Sequence, residues 1–326
     1  MSHPVFLKIQ HRVFCLKGVP EEAMKFLERS YGSLLMHRFS GRAGAELEIK
    51  TLPPVPPRKI RRKAWIFHKG LAFIVPGGSR KICIRYEPWL RVKRLFYYVI
   101  EPLLTHLMKR CAILPFHAAG VCKDGAGILI PGDTGAGKTS LAYRFARAGF
   151  RILSDDRTYL MKGKTGGIEM AGYREPLALD QKAIQLFPEL GFLKRARKPV
   201  LHGGVPKWHL DLDELKPLPG VRAARYRRGR TQVKKIFFPE LNLRERQTRL
   251  IRLSEAETLA RLLKNRPPEF PSILHHAKTI QFQFDLLAGL SAQADAYRLL
   301  VGRKTENDEE WMAPLLPARR KARKAR

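Results

Sequence analysis

Eight consecutive residues, Gly132-Asp133-Thr134-Gly135-Ala136-Gly137-Lys138-Thr139, constrain this chain more than any other stretch. They satisfy the spacing G-x-x-x-x-G-K-[ST] at every fixed position. An apolar run that reads as a buried strand, Gly127 to Ile130, precedes them, and a stretch that reads as a helix, Thr139 to Ala148, follows. Glycines let the backbone turn successive N–H groups inward, so such a loop at a helix start cradles anionic oxygens. A lysine closing the loop reaches the β- and γ-phosphates of a nucleoside triphosphate, and the hydroxyl beside it suits a magnesium ion. The loop, with Ser140 adjoining it, is therefore expected to hold ATP, and Thr139 to ligate Mg2+.

A phosphate loop alone does not separate a kinase from a switch or a motor, so the flanking residues decide. Seventeen residues after Lys138 stand Asp155 and Asp156, at the end of the strand Arg151 to Ser154. In a parallel sheet, that strand end opens onto the same crevice as the loop. One carboxylate there can hold magnesium, and the other can take the proton of an attacking hydroxyl. Upstream, His117 in Phe116-His117-Ala118-Ala119-Gly120 is placed on a neighbouring strand, where an imidazole can orient an aspartate or tune its pKa. Taken singly, an Asp-Asp-Arg turn is more often solvated and a strand histidine more often a satisfied core residue. Their arrangement around the loop carries the reading.

From His117 through the loop to Ser154-Asp155-Asp156, the chain resembles the C-terminal kinase domain of HPr kinase/phosphorylase. More narrowly it resembles the HPr-kinase-related branch of small bacterial proteins; the family shares its nucleotide-binding core with phosphoenolpyruvate carboxykinases. The resemblance covers about residues 113 to 160 with specific motifs, and the element order more loosely to about 265. It implies an α/β P-loop kinase domain of the HPr kinase/PEP carboxykinase type, in which Lys138 and the loop amides hold the ATP phosphates. It implies Asp155 as base toward an acceptor serine, Asp156 with Thr139 on the magnesium, His117 in support of Asp155, and a homo-oligomer. The family's glutamate followed by Arg-Gly-Leu-Gly is not found; Gly172-Tyr173-Arg174-Glu175-Pro176-Leu177 stands in that region. That departure argues against phosphorylase activity and against HPr as the substrate. It leaves Glu175 as a candidate second metal ligand and Arg174 or Lys207 as candidate phosphoryl binders.

The rest of the chain frames this site. Residues 1–111 read as a smaller strand-rich α+β segment, 112–303 as the kinase domain and 304–326 as a disordered basic tail. In the first segment the strands are Val5 to Ile9, Arg12 to Leu16, Glu46 to Leu52, Ala64 to Phe67, Leu71 to Val75 and Lys81 to Tyr86. A helix opens at Pro20, a four-proline loop spans Pro53 to Pro57, and an amphipathic helix from Pro88 to Cys111 is broken or kinked at Pro102. Farther on, Gln232 to Phe238 and Thr248 to Leu253 read as strands. Ser254 and Glu257 form a capping box for a helix to Lys264, and a last helix runs from about Ile273 to Leu300. Four scattered cysteines, Cys15, Cys83, Cys111 and Cys122, suit reduced thiols in a cytoplasm, and no secretory segment or membrane span is expected.

The formal net charge of +33 comes in blocks, Arg58 to Lys63, Lys194 to Lys198, Arg222 to Arg230 and Arg319 to Arg326. Such a surface attracts polyanions, and for a kinase it would steer an acidic protein or peptide acceptor. The alternative reading is an ATP-switched protein that binds nucleic acid or an acidic partner without kinase activity. No nucleic-acid reading motif accompanies the charge.

Overall fold

The computed structural model describes residues 3–10, 12–41, 43–51, 71–74, 81–86, 95–172, 175–202, 204–215, 229–241, 247–265, 277–302 and Met312. The expected strand at Ala64 to Phe67, the loop at Pro53 to Pro57, the start of the helix at Pro88, Cys83's side chain, Arg174, the tail and most of three basic blocks lie outside them. The protein is mixed α/β, with seven α-helices among the described residues. It divides into two compact units, Met1–Pro115 with the start of the last helix through Asp285, and Phe116–Arg266 with the chain from Leu286. The first boundary thus falls four residues past the expected one, and a distant helix segment joins the first unit.

In the first unit, β1 (Val5–Ile9), β2 (Arg12–Lys17), β3 (Leu35–Met36), β4 (Ala45–Thr51), β5 (Leu71–Ile74) and β6 (Lys81–Tyr86) form one sheet in the order β3-β1-β2-β4-β6-β5. The alternation of Val5, Leu7 and Ile9 buries one face of β1. Helix α1 (Glu21–Tyr31) starts after Pro20 with Glu21 and Glu22 in its first turn and buries Ala23, Leu27 and Tyr31 at i, i+4 and i+8. A π-helical turn, Phe96–Ile100, runs into α2 (Glu101–Arg110). The helical chain thus splits in type next to Pro102 as expected: the π-helical turn ends at Ile100, and Pro102 stands in the first turn of α2.

The second unit is built on β7 (Leu114–Lys123). It continues with β8 (Ala126–Pro131), α3 (Lys138–Arg147), β9 (Arg151–Ser154), β10 (Arg157–Lys162), β11 (Ile168–Ala171) and β12 (Leu177–Asp180). Then come α4 (Gln181–Leu186), α5 (Phe192–Ala196), β13 (Val200–His202), β14 (Val205–Leu210), β15 (Arg230–Leu241), β16 (Arg249–Arg252), α6 (Glu255–Lys264), the part of α7 (Ala277–Gln293) from Leu286 onward, and β17 (Asp295–Val301). The large sheet runs β11-β10-β7-β8-β15-β17-β16, with β9 also on β7 and β11 also against β15. The strands β10, β7, β8, β15 and β11 thereby close into a ring. A separate small sheet has the order β12-β14-β13.

Two expectations are corrected here. The sheet is mixed rather than parallel: β8 is parallel to β15, but β7 is antiparallel to both β8 and β9. The cause is local, since Asp124 and Gly125 both take positive φ and join β7 to β8 as a two-residue hairpin. The last helix ends at Gln293, and Asp295–Val301 is a strand parallel to β15 rather than more helix. Gln293 fixes the change, donating from Nε2 to the carbonyls of Ile168 and Val233 and accepting the Ile168 N–H. The capping box at Ser254 is formed as the spacing predicts, with both reciprocal bonds to Glu257.

Helix α3 packs Leu141, Ala142, Phe145 and Ala146 onto Ile128, Ile130, Ile152 and Phe237 from the sheet. This packing fixes the start of α3, and with it the loop that precedes it. Cys15, Cys111 and Cys122 are buried and in no disulfide. Among the described residues no helix is long and apolar enough to cross a membrane.

Candidate functional site

The register of β7 explains why distant parts of the sequence meet. Pro131 at the end of β8 lies opposite Ala118, and Ser154 at the end of β9 lies opposite Gly120. Both strands run antiparallel to β7, so they point the same way and deliver Gly132 and Asp155 to either side of one short stretch. His117 is the next residue along β7. Asn265, just after α6, holds that point by donating from Nδ2 to the His117 carbonyl at 2.8 Å. On the other side Thr158 Oγ1 donates to the Ala118 carbonyl at 2.8 Å and pairs with Ser154 Oγ at 2.7 Å.

The loop from Gly132 to Gly137 enters α3 through two residues at positive φ, Gly135 (+85°) and Gly137 (+95°). Side chains other than glycine rarely adopt that backbone. Lys138 opens the helix but folds back under the loop, where it is 6 % exposed. Its Nζ donates to the carbonyls of Gly132 at 2.7 Å and Asp133 at 3.1 Å, and lies 2.9 Å from His117 Nε2. Desolvation lowers the Lys138 pKa, opposed by the charges of Asp156 and Asp155.

His117 is also lowered, mainly by desolvation. A neutral ring whose Nε2 accepts from Lys138 carries its proton on Nδ1, and Nδ1 lies 3.4 Å from Asp156 Oδ1. The imidazole thus links the loop lysine to Asp156. It does not contact Asp155, the partner the resemblance implies.

The two adjacent carboxylates occupy opposite environments. Asp156 is 64 % exposed, with Oδ1 3.8 Å from Lys138 Nζ. Asp155 is 3 % exposed. Its Oδ2 accepts the Ala178 N–H at 3.0 Å, Oδ1 has no hydrogen-bond partner, and the nearby Thr139 hydroxyl favours the ionised form slightly. Burial first, then the nearby Glu175, pushes its pKa up to about 7.

Glu175 has a role that the sequence did not disclose. Its Oε1 accepts the backbone N–H groups of Asp155 at 2.8 Å, Asp156 at 2.9 Å and Arg157 at 3.3 Å. It braces the turn that presents both aspartates, and it does not line the cavity. Burial raises its own pKa, and these N–H groups oppose that rise. Nearby, Gly172 is forced to be glycine by close approach, since a Cβ there would lie 2.0 Å from the Leu153 carbonyl oxygen.

A cavity of about 550 Å³ opens over the loop. Thr134, Gly135, Gly137, Lys138, Thr139, Ser140 and Asp156 line one side, and Ala178, Asp180, Val205 and Lys207 belong to the other. Alternation in the small sheet explains that wall. Leu177, Leu179, Trp208 and Leu210 turn into the core, so Ala178, Asp180, Val205 and Lys207 turn outward. Of the residues singled out in the sequence, the structure brings together the loop, His117, Asp155, Asp156 and Lys207. Among the described residues no three His, Cys, Asp or Glu side chains converge as a metal cluster. A magnesium site of the phosphate-loop kind needs none, because one or two carboxylates and a hydroxyl share the ion with phosphate oxygens and water.

No family model matches the chain, and no curated protein matches it in sequence.

Proposed function

We propose that the second unit is a P-loop kinase domain of the HPr-kinase-related type, transferring the γ-phosphoryl group of ATP to a hydroxyl, a serine's, of a protein or peptide. The observation that carries this is the chain of contacts from the phosphate loop through Lys138 and His117 to Asp156 at the cavity. A nucleotide switch needs the loop and a metal carboxylate; it has no use for a second, exposed carboxylate oriented by a histidine.

The loop N–H groups and Lys138 bind and orient the triphosphate. Asp156 accepts the proton of the acceptor hydroxyl as its oxygen bonds to the γ-phosphorus, and the bond from that phosphorus to the β–γ bridging oxygen breaks, releasing ADP. His117 orients Asp156 through Nδ1–H. Lys207, on the opposite wall, adds positive charge where the transferred group gathers negative charge. The half-buried Thr139 and the buried Asp155, hard oxygen donors with Oδ1 of Asp155 unpartnered, fit a magnesium ion. When bound, that ion neutralises charge on the β- and γ-phosphate oxygens. The geometry thus favours Asp156 as base and Asp155 on the metal side, the reverse of the division implied by the resemblance. The protein would act in a cytoplasm, where ATP and magnesium are supplied.

Radiolabelled ATP offered with serine-containing peptides tests the reading. Asp156→Asn should lower transfer by about 10²- to 10⁴-fold, the range of a general base, with nucleotide affinity within a few-fold of wild type. Full transfer by this variant would remove Asp156 from the chemistry, and failure of the wild type to bind ATP would end the proposal.

A further inference from the structure

The small sheet that walls the cavity ends, among the described residues, on β13. Only two residues separate His202 from Val205, so this pair closes the hairpin as a hydrogen-bonded pair. The next pair, Leu201 with Pro206, is then the non-bonded kind, and it agrees with that assignment because Pro206 has no N–H to give. Leu201 consequently directs its own N–H and C=O away from β14, toward the outer edge. Its side chain is 70 % exposed, and Val200 and Val205 beside it are exposed too. Native proteins usually blunt or cover such an edge.

The surroundings of β13 are basic. Lys194, Arg195 and Lys198 precede it and are exposed, while Lys182 and Lys207 line the adjoining cavity. Arg197 is not part of this patch, because it is engaged with Glu214 and the His209 carbonyl. Val205 and Lys207 belong both to the cavity lining and to β14, the partner of β13. The edge is therefore continuous with the cavity wall.

We propose that β13 is the docking edge for the acceptor. An extended peptide segment bearing carboxylates and an apolar residue adds to β13 as a fourth strand, and the hydroxyl several residues onward enters the cavity. Main-chain hydrogen bonds to Leu201 supply the pairing, the apolar residue packs by the Leu201 side chain, and the carboxylates face Lys194, Arg195 and Lys198. This rests on the phosphotransferase reading and names the substrate class for it.

The test uses the full chain and a fluorescein-labelled peptide of alternating leucine and glutamate followed by serine, read by anisotropy without nucleotide. A fluorescent ATP analogue is titrated in parallel. Leu201→Pro should weaken peptide binding at least tenfold, as should N-methylation of alternate peptide amides. Arg195→Glu with Lys198→Glu should weaken it at least fivefold and flatten its salt dependence, and all variants should keep wild-type nucleotide affinity. The inference is overturned if the wild type binds nucleotide but not the peptide, or if Leu201→Pro or N-methylation leaves peptide affinity unchanged. It is also overturned if the wild type sediments as a dimer that Leu201→Pro dissociates, which would give the edge to a second copy. Loss of nucleotide binding by the wild type would instead sink the phosphotransferase reading.

Discussion

Replacing Asp155 with asparagine should stabilise the nucleotide-free protein at neutral and alkaline pH. In the folded chain this carboxyl titrates near 7 instead of the ordinary 3.8, because it is buried and faces Glu175. The native state therefore binds more protons than the unfolded state between those values, and stability must fall as pH rises across that window. Integrated over the window, the loss is on the order of 4 kcal/mol at pH above 7. His117 acts in the opposite sense: its lowered pKa means that stability rises as pH climbs through 6.5. Glu175, also raised, adds to the fall. Thermal unfolding between pH 4.5 and 8.5, without nucleotide or magnesium, reads the balance. Wild type should lose stability toward the alkaline end, by about 2–4 °C per kcal/mol for a unit of this size. Asp155→Asn, which keeps an acceptor for the Ala178 N–H, should show a much flatter profile and melt higher above pH 7. Magnesium with nucleotide should raise the wild-type melting point and do little for the variant. Parallel profiles for the two proteins would refute the claim that Asp155 is a strongly desolvated carboxyl.

Three further outcomes follow from the same geometry. Lys138→Ala should weaken binding of a fluorescent ATP analogue by about 10- to 100-fold, the scale of a lost charge-assisted hydrogen bond, as read by titration. Glu175→Ala leaves three backbone N–H groups without their acceptor and should cost about 2–4 kcal/mol in denaturant unfolding, while Glu175→Gln, which keeps an oxygen there, should cost far less. Gly172→Ala forces a Cβ into the Leu153 carbonyl and should destabilise by about 3 kcal/mol or more. Because Leu153 leads into the aspartate turn, it should also abolish transfer in soluble protein.

Much of this site was legible in the sequence because its signals are local. Glycine spacing, the strand before it and the helix after it need only short-range rules, and so does the Ser254 capping box. Asp155 and Asp156 were legible as a pair but not as opposites. Two neighbouring residues in a bend carry no periodic signal of which one is buried, and only the Ala178 N–H bonded to Asp155 shows which one is inside. His117 was found, but its partner was not, because that depends on the antiparallel hairpin made by Asp124 and Gly125. The expected last helix runs past Ala294 into what is β17, since nothing in the local pattern marks the stop; Gln293 makes it through bonds to two strands over 50 residues away. Glu175 carried no motif at all. Its use is set by where the backbone of residues 155–157 happens to present three N–H groups.

Lys138 already has partners before any ligand arrives. Two loop carbonyls and an imidazole nitrogen surround its ammonium group. Phosphate binding is then a trade of acceptors rather than the filling of a need, and a newcomer must outbid the loop itself. A lone phosphate offers too little to displace three acceptors at once. On the proposed reading a triphosphate, held along the whole loop, would displace them. If the loop binds nucleotide as proposed, these resting contacts set an entry threshold that would keep small anions from idling in the site.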